Sequence, residues 1–313
     1  MSELDFGPIG FGAASIGNLY RSVDDATAQE TLQAAWDGGI RYFDTAPHYG
    51  LGLSERRLGA FLREKPRDEF IVSTKVGRLL VPNPDFSGGT DHENAFEVPN
   101  DLMRVYDPSE AGVRRSLEDS LERMGLDFID ILYLHDPDVY DLERGLAEAL
   151  PALARLREEG LVRAIGIGVN DAAVATRAVR EADIDLVMIA GRYTLLEQPA
   201  AEELLPACLE NGVRVVDAAV FNSGLLATNT PAADASYNYG AVPAAVLERA
   251  RKLAAVCAEF GVDLPAAALQ FPARHPAVAT VVVGTSRAEA VRENLLRASA
   301  PIPEELWAAL EAV

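Results

Sequence analysis

A closed (β/α)8 barrel is the fold class this 313-residue sequence predicts, on three observations. Short β-branched or aromatic runs alternate with longer Ala/Leu/Glu/Arg stretches of helical period. Eight such strand–helix units fill the chain, which suits a closed barrel better than an open doubly wound sheet. Most of the strand runs are apolar on both faces, as strands hidden beneath helices must be.

Taken in order, the first strand is IGFGAA (9–14), followed by a helical pattern over 24–38 that opens on SVDDA. RYFDT (41–45) precedes a helix at 54–64, and FIVSTK (70–75) precedes one at 109–124 that opens on DPSEA. FIDILYLH (128–135) leads to 142–159, VRAIGIGV (162–169) to 171–182, and DLVMIAG (185–191) to 200–211. RVVDAA (214–219) leads to 243–260 through VPAA, and VATVVVG (278–284) to 287–298, with a final helix at 303–312. Ser and Asp at these helix starts accept hydrogen bonds from the free N–H groups of a first turn. Two long connections break the rhythm, 77–108 and 218–242, and loops of that length in a compact barrel read as lids or binding loops. Without a low-complexity linker or repeat, residues 1–313 read as one barrel domain.

Bulk properties narrow the function. The formal charge of −20 and a pI near 4.6 repel a polyanion, so nucleic acid is excluded as a partner and a small-molecule substrate is expected. Cys208 and Cys257 are too few for a disulfide framework and suit a reducing cytoplasm. The start MSELDFGPIGFGAASIG lacks a basic segment followed by an apolar core, and no later run approaches a membrane span, so a soluble, unexported protein is expected. His48, His92, His135 and His275 are widely separated, and none has a ligand spacing with a second His or Cys, so no metal is expected.

In a barrel of this class the C-terminal ends of the strands form the active-site face, which directs attention to polar residues just after apolar strands. Asp44 ends RYFD, Lys75 ends FIVSTK, His135 ends FIDILYLH, and Tyr49 follows Asp44 in a Gly/Pro-rich turn. Each has an ordinary reading alone: a turn residue, a surface charge, a core histidine, a half-buried aromatic. The second, third and fourth strands are neighbours at one rim, however, which brings all four together. An ammonium at the end of a buried strand needs a counter-charge, and Asp44 is placed to supply it. A cation beside a phenol lowers its pKa from near 10 and makes it a workable acid or base. A neutral His135 would orient the reacting oxygen. Acid–base help for an oxygen, with no nucleophile in view, points to interconversion of carbonyl and alcohol with hydride handled by a cofactor.

The segments FDTAPHYGLGLSERRLG, TKVG, DILYLHDPD and VVVGTSRAEAVRENL resemble the signatures of the aldo-keto reductase superfamily, in order over nearly the whole chain. The resemblance implies a barrel binding a nicotinamide dinucleotide, with Asp44, Tyr49, Lys75 and His135 as the catalytic tetrad. A Rossmann reading fails, because GFGAASIG and GIGVND lack the third glycine at the required distance. By the same resemblance Gly12, Ala13 and Asp44 contact the cofactor. The pyrophosphate falls to Phe221, Asn222, Ser223, Gly224 and Leu225 and to Gly284, Thr285, Ser286 and Arg287, where helix-start N–H groups favour negative charge. Asn170 is assigned to the nicotinamide carboxamide, and Glu293 with Asn294 to the adenine. Three positions depart from the wider pattern: Ala190 stands for a glutamine, Ala218 for a stacking aromatic, and Ala290 for a basic residue that serves a 2′-phosphate. The last of these favours NAD, with NADP possible through Arg287.

Within the superfamily, FGAASIGNLY, TKVGRLL and VVDAAVFNSGLL are most similar to a branch of bacterial sugar 1-dehydrogenases, including L-fucose and D-threo-aldose dehydrogenases, and pyridoxal 4-dehydrogenase. Both substrate types exist as cyclic hemiacetals, and their oxidation gives a lactone. An aldose is the first reading and pyridoxal the alternative. A general aldehyde or ketone reductase, a Schiff-base lyase using Lys75 and a non-catalytic nucleotide-binding module are the remaining classes.

Overall fold

The computed structural model describes residues 4–238 and 240–313; Met1–Glu3, part of the start read above for a leader, and Tyr239, within the second long connection, lie outside the described residues. The eight expected strands form one closed, all-parallel barrel. They are β1 (Ile9–Gly12), β2 (Tyr42–Asp44), β3 (Ile71–Val76), β4 (Ile131–His135), β5 (Ala164–Val169), β6 (Leu186–Ala190), β7 (Arg214–Ala218) and β8 (Val278–Gly284). Each pairs with its sequence neighbours, and β8 closes on β1 through Gly12 opposite Gly284.

The two-residue period of a strand decides what enters the barrel. Phe43, Val72, Leu132 and Leu134 face outward into the layer shared with the helices. Tyr42, Ile131, Tyr133, Leu186, Met188, Val216 and Val282 fill the interior, with Leu4 and Phe6 in the same cluster. Alternation then places Asp44, two residues after Tyr42, and His135, two after Tyr133, on inward positions one layer higher. Ser73 and Lys75 follow the same rule on β3: the Ser73 hydroxyl lies 3.0 Å from the Tyr42 hydroxyl and donates to Asp44 Oδ1 at 2.7 Å.

The helices are α1 (Asp25–Asp37), α2 (Leu53–Leu62), α3 (Glu110–Met124), α4 (Leu150–Glu158), α5 (Ala172–Glu181), α6 (Leu204–Asn211), α7 (Ala244–Glu259), α8 (Leu264–Gln270), α9 (Ala288–Ala298) and α10 (Glu304–Glu311). Asp24, Ser109 and Asp171 cap α1, α3 and α5 by accepting first-turn N–H groups. The pattern expected as one helix over 142–159 is broken: a short turn, Leu142–Arg144, and a π-helical turn, Gly145–Ala149, precede α4. Pro151 has no N–H to give the fourth residue back and would crowd its carbonyl, which a widened turn relieves.

One helix was absent from the expected series. Between α7 and β8 lies α8, started by Pro265 in its first turn, and it packs against α9 in the ring around the barrel. The longer α7 sits outside it and packs with α10 over a separate apolar cluster of Leu247, Leu253, Leu264, Leu306 and Trp307. The two long connections also hold order that the sequence did not announce. Arg78–Pro82 pairs antiparallel with Leu102–Tyr106, and Ser236–Tyr237 with Gly240–Ala241. Among the described residues no single helix is long and apolar enough to cross a membrane.

Candidate active site

The turn after β2 carries Tyr49 back over the barrel mouth. Gly50 has φ +60°, and a Cβ there would collide with the Gly17 carbonyl, so only glycine allows this turn to press against the β1 loop. Lys75, 2% exposed, donates to Asp44 Oδ2 at 2.7 Å and to the Thr45 carbonyl at 2.9 Å, and its Nζ lies 4.7 Å from the centre of the Tyr49 ring. The Tyr49 and His135 rings meet edge to face with centroids 5.9 Å apart. Asp44, Tyr49, Lys75 and His135 therefore converge on one rim.

The electrostatics correct one expectation. Burial works to lower the Lys75 pKa, but Asp44 and Tyr49 outweigh it and leave the ammonium more firmly protonated than usual. At Tyr49 burial also dominates: it raises the phenol above its ordinary value, Lys75 pulls it back, and the negative charge of Asp44 raises it again. The expected direction of the ammonium's effect is present, but its net result is not a phenol below 10, because Asp44 neutralises the cation and water is excluded. Tyr49 thus rests as the neutral phenol. His135 is held far below its usual pKa by burial and then by Arg78 and Lys75, and stays a neutral imidazole.

Several groups around these four gave no sequence signal. His48 packs edge to face against both Tyr49 and His135, and burial with Arg78 and Arg104 lowers its pKa to about 2. Arg104 grips Asp91 through two hydrogen bonds of 2.9 and 2.6 Å and donates to the His48 carbonyl at 2.7 Å, tying the first long connection to the turn that bears Tyr49. Phe96 from the same connection covers Tyr49, with centroids 6.2 Å apart. Asp136 Oδ2 lies 3.3 Å from His135 Nε2 and accepts from Arg78 at 2.6 Å. Only the segment DILYLHDPD, two acidic groups beside the histidine, could have pointed to this last cluster.

The proposed cofactor residues divide into two sets. Gly12 and Gly284 stand opposite each other at the β1–β8 seam, where a Cβ on Gly284 would come 3.0 Å from the Gly12 carbonyl. Thr285, Ser286 and Arg287 follow, and α9 begins without a side-chain cap, leaving first-turn N–H groups for an anion. Asn222 and Ser223 hold left-handed backbone (φ +46° and +59°), and the buried Asn222 Oδ1 has no partner among the described residues. An unpaired buried amide oxygen, a glycine-lined seam and an uncapped helix start fit a dinucleotide. Asn294 is buried and Glu293 is exposed on α9.

Other assigned residues are placed differently from expectation. Ala13 is fully buried, and its carbonyl is taken by the Ser54 hydroxyl at 2.8 Å. Phe221 and Leu225 pack into the apolar clusters, which leaves them only backbone groups to offer. The N–H groups of Asn222, Gly224 and Leu225 are spent in consecutive turns onto Ala219, Phe221 and Asn222 carbonyls. Asn170 is exposed beyond β5, with its carbonyl accepting from Arg192 at 2.7 Å. A residue without signal, Glu197, ties the second long connection down by accepting from Tyr237 at 2.7 Å and Asn222 at 3.1 Å.

Comparison with known proteins agrees with the barrel fold. Residues 8–313 match the model of the aldo/keto reductase family. The chain is 57% identical over 303 residues to a D-threo-aldose 1-dehydrogenase of Pseudomonas sp, covering 96% of this chain and 92% of that protein. It is 38% identical over 321 residues to a pyridoxal 4-dehydrogenase of Microbacterium luteolum, covering 97% and 93%. The holo form of an aldo-keto reductase from Bacillus halodurans superposes with a TM-score of 0.76 at 27% identity, over 97% of this chain and 91% of that one. With a closed eight-stranded barrel and a family match over nearly its full length, this chain is an oxidoreductase and belongs to the aldo/keto reductase family.

Proposed function

We propose that the protein oxidises a cyclic hemiacetal, an aldose of the kind its 57% identical relative is named for, to a lactone at the anomeric carbon. The observation that carries the chemistry is the buried Asp44–Lys75 pair, set against the Tyr49 ring with His135 beside it. Tyr49 accepts the proton of the anomeric hydroxyl. For this the resting phenol first gives its own proton to solvent; Lys75 stabilises the resulting phenolate, Asp44 holds the ammonium in place, and neutral His135 orients the reacting oxygen by a hydrogen bond. Reading the reaction in reverse, the resting phenol of Tyr49 is the proton donor.

Aldo-keto reductases use nicotinamide cofactors, and here the oxidised dinucleotide, when bound, supplies the hydride acceptor. Gly12, Gly284, Thr285, Ser286 and Arg287 would hold its phosphates and ribose, Asn222 and Ser223 would border it from β7, and Glu293 with Asn294 would meet the adenine. NAD is favoured over NADP, since Ala290 is buried where a basic residue would grip a 2′-phosphate. The side chains of Phe221 and Leu225 and the exposed Asn170 carry less of the binding than the family pattern suggests. We read the whole chain as one catalytic domain working in the cytoplasm on a small-molecule substrate.

A second reading, pyridoxal oxidation, draws on the 38% identical relative and on the flat cover that Phe96 provides over Tyr49. An absorbance screen at a nicotinamide wavelength separates the two, with NAD and NADP each offered L-fucose, D-arabinose, L-galactose and pyridoxal. Turnover of an aldose with NAD, lost by about 10² to 10⁴ in Tyr49→Phe, is the expected result. Full activity in that variant overturns the mechanism, and activity on pyridoxal alone overturns the substrate.

A further inference from the structure

Asp136 follows the catalytic histidine directly, yet the mechanism above gives it nothing to do. Its backbone is left-handed, with φ +40° and ψ +59°, an uncommon state for a residue that is not glycine. Strain of this kind persists only where surrounding structure enforces it, and it gathers at functional sites. The carboxylate is also deliberately oriented. Arg78, itself only 5% exposed, donates to Oδ2 at 2.6 Å, and the same oxygen lies 3.3 Å from His135 Nε2. Oδ1 receives no hydrogen bond from the described residues and is not sealed from solvent.

This carboxylate stands beside the group that would orient the substrate, with Oδ2 3.3 Å from His135 Nε2. Its charge acts on Tyr49 and that of Lys75 acts on it in turn, so Asp136 belongs electrostatically to the same rim. A substrate oxygen hydrogen-bonded to His135 Nε2 lies about 3 Å from that nitrogen. In an aldose the hydroxyl on the adjoining carbon is then within reach of a carboxylate on the same side of the ring.

We propose that Asp136 is a specificity-determining residue whose free carboxylate oxygen accepts a hydrogen bond from the C2 hydroxyl of a cyclic aldose, next to the reacting anomeric hydroxyl. The inference rests on the aldose reading and deepens it. Burial raises the pKa of the carboxylate, and Arg78 opposes that rise and holds the group through Oδ2. A charged acceptor in a site with little water discriminates strongly against a ligand that leaves it unpaired. The site therefore selects polyols over plain aldehydes of similar size and disfavours substrates carrying an anionic group at that position.

The test crosses two substrates with two variants. D-arabinose and 2-deoxy-D-erythro-pentose differ only in the C2 hydroxyl. Asp136→Asn tolerates the left-handed backbone, and Asp136→Gly tolerates it while removing the acceptor altogether. Wild-type enzyme is expected to favour D-arabinose in kcat/KM by about 10- to 100-fold, the worth of one hydrogen bond to a charged group. Both variants are expected to lose most of that preference, with the loss falling on D-arabinose and the 2-deoxy sugar changed by less than about threefold. Equal losses on both sugars would assign Asp136 to positioning of His135 alone and overturn the proposal, as would unchanged kinetics. Failure of wild-type enzyme to oxidise either sugar has a different signature: it overturns the aldose reading and this proposal with it.

Discussion

Two aspartates buried in strands of the same barrel are treated in opposite ways. Asp44, at the mouth end of β2, accepts from Lys75 Nζ and from the Ser73 hydroxyl, each at 2.7 Å. Asp217 lies in β7, facing away from the barrel axis in the layer under the helices, and among the described residues neither of its carboxyl oxygens has a hydrogen-bond partner. Burial drives its pKa far above the usual carboxylate range, and the Ala218 amide nearby offsets that only in part. Asp44 is therefore paired with a cation, while Asp217 has no charged partner and burial favours its neutral form. The comparison separates a buried charge that is matched from a buried acid that only costs stability: on β2 and β3 Asp44 and Lys75 satisfy each other, and β7 leaves one polar group unmet.

The comparison breaks most visibly at Lys75. Lys75→Met leaves Asp44 as an uncompensated buried charge, a loss of about 3–5 kcal/mol for a pair of this kind. It also removes the cation that opposes burial at Tyr49, so turnover should fall by at least about 10² while cofactor binding is retained. Denaturant melts and titration of nicotinamide binding by tryptophan fluorescence check the two parts separately. An active, fully stable Lys75→Met enzyme would dissolve the distinction between the two aspartates.

Asp217 should respond in the opposite direction. Asp217→Val replaces an unpaired buried acid by a side chain of similar size already used by Val215 and Val216. A gain of about 1–3 kcal/mol in unfolding free energy is expected, with kcat unchanged. The pH dependence has a definite sign. The folded-state pKa is raised, so below the unfolded value near 3.9 both states hold the proton and the group costs nothing. As pH rises past that value the unfolded chain ionises first and stability falls, up to the folded pKa. The variant should lack this decline, which chemical denaturation between pH 4 and pH 8 would measure.

His48 and His135 supply the converse slope. Both are depressed, His48 to about 2, mainly by burial and then by neighbouring cations. Above the unfolded pKa near 6.5 they cost nothing; below it the unfolded chain takes up protons that the folded state refuses. Stability should drop by about 1.4 kcal/mol per pH unit for each imidazole as pH falls from 6.5 toward 4.5. His48→Gln should lose one imidazole's share of that slope, and an unaltered slope would show that the rim around His48 is wetter than its packing implies.

What the sequence disclosed follows the same division. Strand ends carrying Asp44, Lys75 and His135 were legible because a two-residue period and a closed barrel leave one place for inward polar side chains. The turn bearing Tyr49 was legible from its glycines. Long-range pairings were not: Arg104 meets Asp91 and His48 across the first long connection, and Glu197 meets Tyr237 and Asn222 across the second, with no fixed spacing to betray them. The helix α8 was missed although Pro265 followed by an alanine run marks it, because a seven-residue helix carries too little periodicity to stand out. The net rise in the Tyr49 pKa was hidden for another reason. Proximity to a lysine can be inferred from strand order, but the depth of burial that outweighs it cannot.

The smallest effect is expected at the start of α9, the end of the site proposed for the adenosine, where no buried pair enforces anything. Arg287 is exposed at the N-terminus of α9, and Ala290, one turn on, is buried. A single exposed guanidinium facing a 2′-phosphate through water contributes on the order of 0.2–1 kcal/mol. Arg287→Ala should therefore weaken NADP binding by only about two- to fivefold and leave NAD binding within experimental scatter, as read by calorimetric titration of each dinucleotide. The dependence should shrink as salt is raised, since exposed charges are screened beyond a Debye length of about 8–10 Å. A loss of a hundredfold for NADP would mean that the groove closes over Arg287 and desolvates it. This end of the site would then belong with Asp44 and Lys75, among charges that packing has matched, and not with the solvated surface its exposure assigns it to.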